Sequence, residues 1–261
     1  MSPVAVVTGA ARGIGAATVD RLVADGWSVV AVDSCADDPA IGYPLGTRQD
    51  LEALSTRHGE RVATVVGDVR SQPDMDGAVG AALDRFGTLD AAVAAAGVLA
   101  GGPPVWEADE DVWDALFDVN VVGVRRLVQA AVPVLLAKEA PRQGRVVAVA
   151  SAAGMLGLRR LGGYVASKHA VIGLTRALAA DLAGTGVTAN AVCPGSTRTP
   201  ILEASARVYG LSSVEDFAGR QLLERLLEPE EPAALIAWLC GRGSSGITGA
   251  VLPADGGMTA F

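Results

Sequence analysis

Apolar residues in this chain fall into short unbroken runs, separated by longer stretches where they recur every third or fourth position. The runs are "VAVVT" (4–8), "WSVVAV" (27–32), "RVATVV" (61–66), "LDAAVAAA" (89–96), "RVVAVA" (145–150), "VTANAV" (187–192) and "AVL" (250–252). Runs this short, apolar on both faces, predict strands buried on both sides. The intervening patterns predict helices over 13–25, 47–58, 72–86, 109–136, 163–183 and 230–240, the fourth with a break near Asn120. Thr47 with Asp50, and Ser71 with Asp74, have the spacing of helix starts capped by a side chain. Strand and helix alternate throughout, which predicts an α/β fold: a doubly wound parallel sheet of about seven strands with helices on both faces. No repeat, low-complexity tract or linker interrupts the pattern, so residues 1–261 read as a single domain.

Composition narrows the function. Of the 261 residues half are hydrophobic, yet the most apolar stretch, 89–105, is largely Ala and Gly and ends in Pro-Pro. That suits a buried strand and its loop, and no membrane span is expected. The opening "MSPVAVVTGA" lacks the basic flank of a signal peptide. A net charge of −8 disfavours nucleic acid and anionic membranes as partners. Cys35, Cys193 and Cys240 have no metal-type spacing and cannot all pair, so reduced thiols and a cytoplasmic location are expected. His58 and His169 stand far apart, and no metal site is expected.

Two segments carry chemistry. "TGAARGIG" (8–15) follows the first strand and opens the first helix. Gly9, Gly13 and Gly15 allow close backbone approach to a pyrophosphate, and the helix start with Ile14 adds partial positive charge. Asp33 closes the second strand eighteen residues after Gly15, where a carboxylate accepts from ribose hydroxyls and repels a 2′-phosphate. Arg12 is a mild counter-signal, but Asp33 outweighs it, and NAD is the expected cofactor on a Rossmann-type sheet. In "YVASK", Tyr164 and Lys168 lie one helical turn apart on one face. A phenol ionises near 10, too high for a base at neutral pH, and the ammonium is expected to lower that value. Ser151 ends a strand thirteen residues before Tyr164, at the sheet edge where such folds bind ligands. Lysine is scarce: the chain has nineteen Arg and two Lys, so Lys168 beside one of three tyrosines stands out.

Taken in order, "TGAARGIG", Asn120 in "DVNVVGV", Ser151, "YVASK" and "PGSTRT" (194–199) resemble a short-chain dehydrogenase/reductase over essentially the whole chain. The resemblance implies Ser151, Tyr164 and Lys168 as the catalytic group, with Asn120 anchoring a water that links Lys168 to solvent. It implies that Asp68 and Val69 meet the adenine, that Ala95 and Gly97 border the cofactor, and that Pro194, Gly195, Thr197 and Thr199 meet the nicotinamide end. It also implies a homotetramer. One departure is "AAAG" (94–97) in place of Asn-Asn-Ala-Gly: Ala94 and Ala95 cannot make the family's side-chain bonds, which puts the local bracing of the sheet in question.

Residues 34–46, "SCADDPAIGYPLG", lengthen a connection that usually needs two to six residues. With Ile41, Tyr43, Leu45 and two prolines, the segment reads as a stiff, partly apolar lid over the adenosine, against the plainer reading of a surface loop. Together with "GTGVTANAVCPGSTRTPILEASARVYGL" and "LLEPEEPAALIAWLC", it resembles the mycofactocin-coupled branch of the family. That resemblance implies NAD that does not exchange and passes electrons to mycofactocin, a peptide-derived redox carrier. Residues 196–226 are expected to form a substrate lid for a small apolar alcohol or its carbonyl. The alternatives are an ordinary exchanging dehydrogenase or carbonyl reductase, for example of the 3-oxoacyl reductase type, and a non-catalytic nucleotide sensor on the same fold.

Overall fold

The computed structural model describes residues 2–260. Seven parallel strands form one sheet in the order β3-β2-β1-β4-β5-β6-β7. They are β1 (Val4–Thr8), β2 (Ser28–Asp33), β3 (Val62–Val66), β4 (Ala91–Ala94), β5 (Arg145–Val149), β6 (Thr188–Pro194) and β7 (Val251–Ala254). The helices are α1 (Gly13–Ala24), α2 (Arg48–His58), α3 (Gln72–Phe86), α4 (Glu110–Phe117), α5 (Gly123–Leu136), α6 (Gly162–Asp181), α7 (Pro200–Tyr209) and α8 (Glu230–Cys240). The expected strands and helices are all present. The run at 89–96 shortens to four paired residues, and α7 was not anticipated as a separate helix.

The continuous apolar runs have the predicted consequence. Side chains of β1 alternate between two cores: Val4 and Val6 pack with α3, α5 and α6 residues such as Met75, Leu127 and Val171, while Ala5 and Val7 pack with Val19, Leu22 and Ile236. Each such Val or Leu contributes roughly 1.5–3 kcal/mol on burial. Thr47 and Asp50 form the predicted reciprocal cap of α2, and Ser71 accepts from the Asp74 N–H at the start of α3.

The break near Asn120 is a single turn of π-helix, Asp118–Val122, between α4 and α5. By length and composition the whole run Glu110–Leu136 is apolar enough to cross a membrane, more so than the stretch 89–105 singled out from sequence. Here its inner residues Leu116, Val124, Leu127, Ala131 and Leu135 pack into the core. The strand order reverses between β1 and β4, and in sheets of this kind the crevice at that point receives a ligand.

Candidate active site

Above the carboxyl ends of the strands runs a long cavity, lined at one end by Asp33, Asp68 and Val69 and in its middle by Ala95, Gly97, Ser151, Tyr164 and Lys168. Pro194, Gly195, Thr197 and Thr199 continue it toward α7 and the short helix at residues 214–220. Every residue expected at the site lines this cavity except Asn120.

At the glycine-rich turn, the backbone leaves no room for side chains. Gly9 has φ +66°, and a Cβ there would lie 2.5 Å from Ala96 Cα. A Cβ on Gly15 would meet the Gly9 carbonyl at 2.0 Å. The N-terminus of α1 has no side-chain cap and no acid in its first turn, so its first N–H groups face the cavity unspent. This is a cradle for a pyrophosphate, and no side chain competes for it. Asp33 anchors the turn: its carboxylate accepts from the Ala11 N–H at 3.0 Å and the Cys35 N–H at 3.2 Å.

The alanines of "AAAG" are compensated by Thr8. Its hydroxyl donates to the Val93 carbonyl at 3.5 Å and accepts from the Ala96 N–H at 3.3 Å. β1 therefore braces the end of β4 through a threonine, where the sequence pointed to missing asparagines.

Tyr164 and Lys168 are both buried on the inner face of α6. The Lys168 ammonium lies 5.8 Å from the Tyr164 ring centre and donates to the Val149 carbonyl at 3.0 Å. Burial lowers Lys168 to about 8, which makes it a group able to gain and lose a proton near neutral pH. Tyr164 departs from expectation. Burial pushes its phenol up to about 12, and the nearby Ser151 hydroxyl only partly opposes this. Desolvation of the phenolate outweighs the Ser151 hydrogen bond, so the protein alone does not lower the pKa. Ser151 caps a short turn by accepting from the Ala153 N–H at 3.1 Å, which fixes its hydroxyl at the end of β5.

Asn120 sits beneath this group. Its side chain accepts from the Val98 N–H at 2.9 Å and donates to the Val98 carbonyl and Ser167 Oγ, both at 3.0 Å. With its amide engaged by these three bonds, the side chain locks the π-turn to the β4 loop and to α6.

Residues 34–46 border the cavity, which Ser34, Ala36, Asp38, Leu45 and Gly46 line. Ile41 and Tyr43 are buried in a cluster with Leu99, Leu116, Tyr164 and Ala204. The Tyr43 hydroxyl accepts from the Leu99 N–H at 3.0 Å, and the Arg12 guanidinium lies 5.8 Å from its ring centre. Asp38, 8 % exposed, binds Arg70 at 2.6 Å. Arg70 also grips Asp68 at 2.7 Å. Burial alone would raise the Asp68 carboxyl, but the Arg70 hydrogen bonds prevail and it stays below its usual range. Asp68, expected at the adenine, is thus engaged by Arg70. Arg70 and Asp38 were not anticipated; the run of acids at 33–38 facing a lone Arg after "DV" was the available signal.

The family model described as enoyl-(acyl carrier protein) reductase matches residues 9–259. The chain belongs to the short-chain dehydrogenase/reductase family. An uncharacterised oxidoreductase of Mycobacterium tuberculosis is 37 % identical, over 98 % of this chain and 95 % of its own length. A trans-4-hydroxycyclohexanecarboxylate dehydrogenase of Sinomonas cyclohexanicum is 36 % identical, over 98 % and 93 %. The crystal structure of carveol dehydrogenase from Mycobacterium avium, in complex with NAD, superposes with a TM-score of 0.92 at 30 % identity, covering 99 % of this chain and 98 % of that one. Among the described residues no group of His, Cys, Asp or Glu is arranged to hold a metal.

Proposed function

We propose that this short-chain dehydrogenase/reductase oxidises a small alcohol with NAD that stays bound between turnovers, and that electrons leave through an external carrier of the mycofactocin kind. The observation that carries the reading is the fastened lid: Tyr43 bonded to Leu99, Asp38 paired with Arg70, and Arg12 against the Tyr43 ring. The cradle of Gly9, Gly13 and Gly15, the uncapped N-terminus of α1 and the carboxylate of Asp33 fit a dinucleotide with an unphosphorylated ribose. The relatives named as dehydrogenases of hydroxylated rings, and the NAD complex of the carveol dehydrogenase, support alcohol and NAD.

When bound, NAD supplies the hydride acceptor, and its cationic ring favours an anionic neighbour. The chain supplies the rest. Ser151 holds the alcohol oxygen. Tyr164 takes the alcohol proton on its phenolate oxygen, as a general base. Lys168 holds positive charge behind Tyr164 and helps to offset the burial that disfavours the phenolate. The apolar walls from Leu158, Leu161 and Phe217 exclude water from the reacting end. Assembly as a homotetramer, through the long helices after Asp109 and after Gly163 with the C-terminal segment at another contact, belongs to the same reading.

The test is to denature the purified protein, prepared with no nucleotide added, and identify what it releases by mass spectrometry. One NAD per chain, reducible in place by an alcohol in the native protein and not in Tyr164→Phe, is expected. Empty protein, or a Tyr164→Phe variant with normal turnover, refutes the reading.

A further inference from the structure

We propose that the alcohol substrate carries an anionic group, a carboxylate, and that Arg220 on the lid receives it; the inference rests on the alcohol-oxidising reading of the same cavity. At its lid end the cavity is walled by Leu158, Leu161, Ile201, Tyr209, Phe217 and Met258. Arg220 is the one charged side chain lining that end. The other ionisable groups of the cavity lie elsewhere: Asp33, Asp38, Asp68 and Arg70 toward the adenosine, Arg12 at the glycine turn, and Lys168 under Tyr164.

Among the lid arginines, Arg207 and Arg220 form no ion pair among the described residues, and of these two only Arg220 lines this chamber, Arg207 facing a neighbouring pocket. Arg198 pairs with Glu215 and Glu228, and Arg225 pairs with Glu231. Arg220 has no carboxylate partner and no side-chain hydrogen bond among the described residues. Its guanidinium instead lies 5.2 Å from the Tyr209 ring centre and 5.4 Å from that of Phe217. Stacking on aromatic faces positions a guanidinium while leaving all five N–H donors free. The platform is itself fixed. Tyr209 donates to the Arg159 carbonyl at 3.0 Å, Phe217 is buried, and the two rings meet edge to face at 6.0 Å. Arg220 is exposed at the mouth of the chamber, and the rings rather than an ion pair set where its guanidinium lies. A positioned, unpaired fork at the mouth of an apolar chamber is the arrangement that recognises a carboxylate. The substrate class is then an apolar ring or short chain with a hydroxyl at one end, for Ser151 and Tyr164, and a carboxylate at the other.

The probes are cyclohexanecarboxylate and its neutral isostere cyclohexanecarboxamide, titrated calorimetrically into the NAD-loaded protein. The carboxylate is expected to bind about tenfold more tightly, the low end for hydrogen bonds to a charged group, and less tightly as salt rises. Arg220→Met keeps the stem and the stacking surface. It is expected to erase the preference while leaving carboxamide affinity, melting temperature and NAD content unchanged, and Arg220→Lys is expected to restore part of it. Equal affinity for the two probes, no measurable carboxylate binding, or a preference intact in Arg220→Met overturns the inference. Loss of NAD from Arg220→Met would assign the guanidinium to the cofactor and overturn it as well. Reduction of bound NAD by neutral cyclohexanol reads the alcohol-oxidising function separately. Its presence without a carboxylate preference leaves that function standing and removes this inference. Failure of every alcohol to reduce NAD, with the preference intact, removes the alcohol-oxidising function and with it the alcohol substrate, leaving Arg220 as a carboxylate-binding residue.

Discussion

Tyr43→Phe removes one oxygen atom from residues 34–46, the segment we propose as the cofactor lid, and is expected to loosen it without unfolding it. In the native protein that oxygen accepts the Leu99 N–H at 3.0 Å, and both residues are buried, Tyr43 at 7 % and Leu99 at 3 % exposure. Phenylalanine keeps the ring, its packing with Leu116 and Ala204, and the face toward Arg12. It leaves the Leu99 N–H buried without a partner, which costs about 1–3 kcal/mol. Opening the lid re-exposes that N–H to water, so the penalty falls on the closed state alone. If NAD leaves only through the open state, its exchange rate scales with the open population. An increase of about tenfold follows from each 1.4 kcal/mol lost. The assay loads the protein with labelled NAD, adds excess unlabelled NAD, and follows retained label after rapid desalting. A fall in melting temperature of about 2–4 °C per kcal/mol accompanies the change. Exchange within twofold of the unsubstituted protein would refute the reasoning, because the best-buried fastening of the lid would then not govern release.

Asp38→Asn weakens the pairing with Arg70 and is expected to speed exchange in the same assay while leaving the single-turnover rate of NAD reduction by a saturating alcohol unchanged. Tyr164→Phe is expected to lower that single-turnover rate by about a hundredfold to ten-thousandfold, the range for a lost general base, with NAD content unchanged. Lys168→Met abolishes turnover yet stabilises the cofactor-free protein at neutral pH. The folded value of about 8 lies below the ordinary 10.5, so the buried charge costs up to about 3 kcal/mol, less the roughly 1 kcal/mol of the Val149 bond. That penalty is full below about pH 8 and shrinks as pH rises toward 10.5, so calorimetric melts of the two proteins should converge over that window. Gly9→Ala places a Cβ 2.5 Å from Ala96 Cα at φ +66°, and should cost about 3 kcal/mol or more and empty the site, read by melting temperature and released nucleotide.

The fold was legible because its signals are local. Strands apolar on both faces, the Thr47 and Ser71 caps and the glycine turn each constrain a few adjacent residues. The cavity lining was legible for the same reason: "TGAARGIG", "YVASK" and "PGSTRT" sit at strand ends, which the α/β alternation already places on one edge. What escaped depended on contacts between distant segments. The Asp38–Arg70 pair joins residues 32 apart, and the Tyr43–Leu99 bond residues 56 apart. The compensation by Thr8 spans 88 residues to Ala96, so the two alanines looked like a defect until β1 and β4 were seen side by side. For Asn120, the sequence did not show that the π-turn buries its side chain against Val98 and Ser167, residues 22 and 47 positions away. For Tyr164, spacing revealed the ammonium, and only the folded environment revealed that burial raises the phenol before a cofactor cation is added.

The most direct test of the central claim is isotope exchange during turnover. The purified protein is given an alcohol that reduces its bound NAD, an artificial electron acceptor and an excess of isotope-labelled free NAD, and the nucleotide it holds is weighed by mass spectrometry after many turnovers. The account predicts product accumulating while the bound NAD stays unlabelled. Label entering at the rate of turnover would contradict it, and would make residues 34–46 an ordinary loop on a dehydrogenase that exchanges its cofactor.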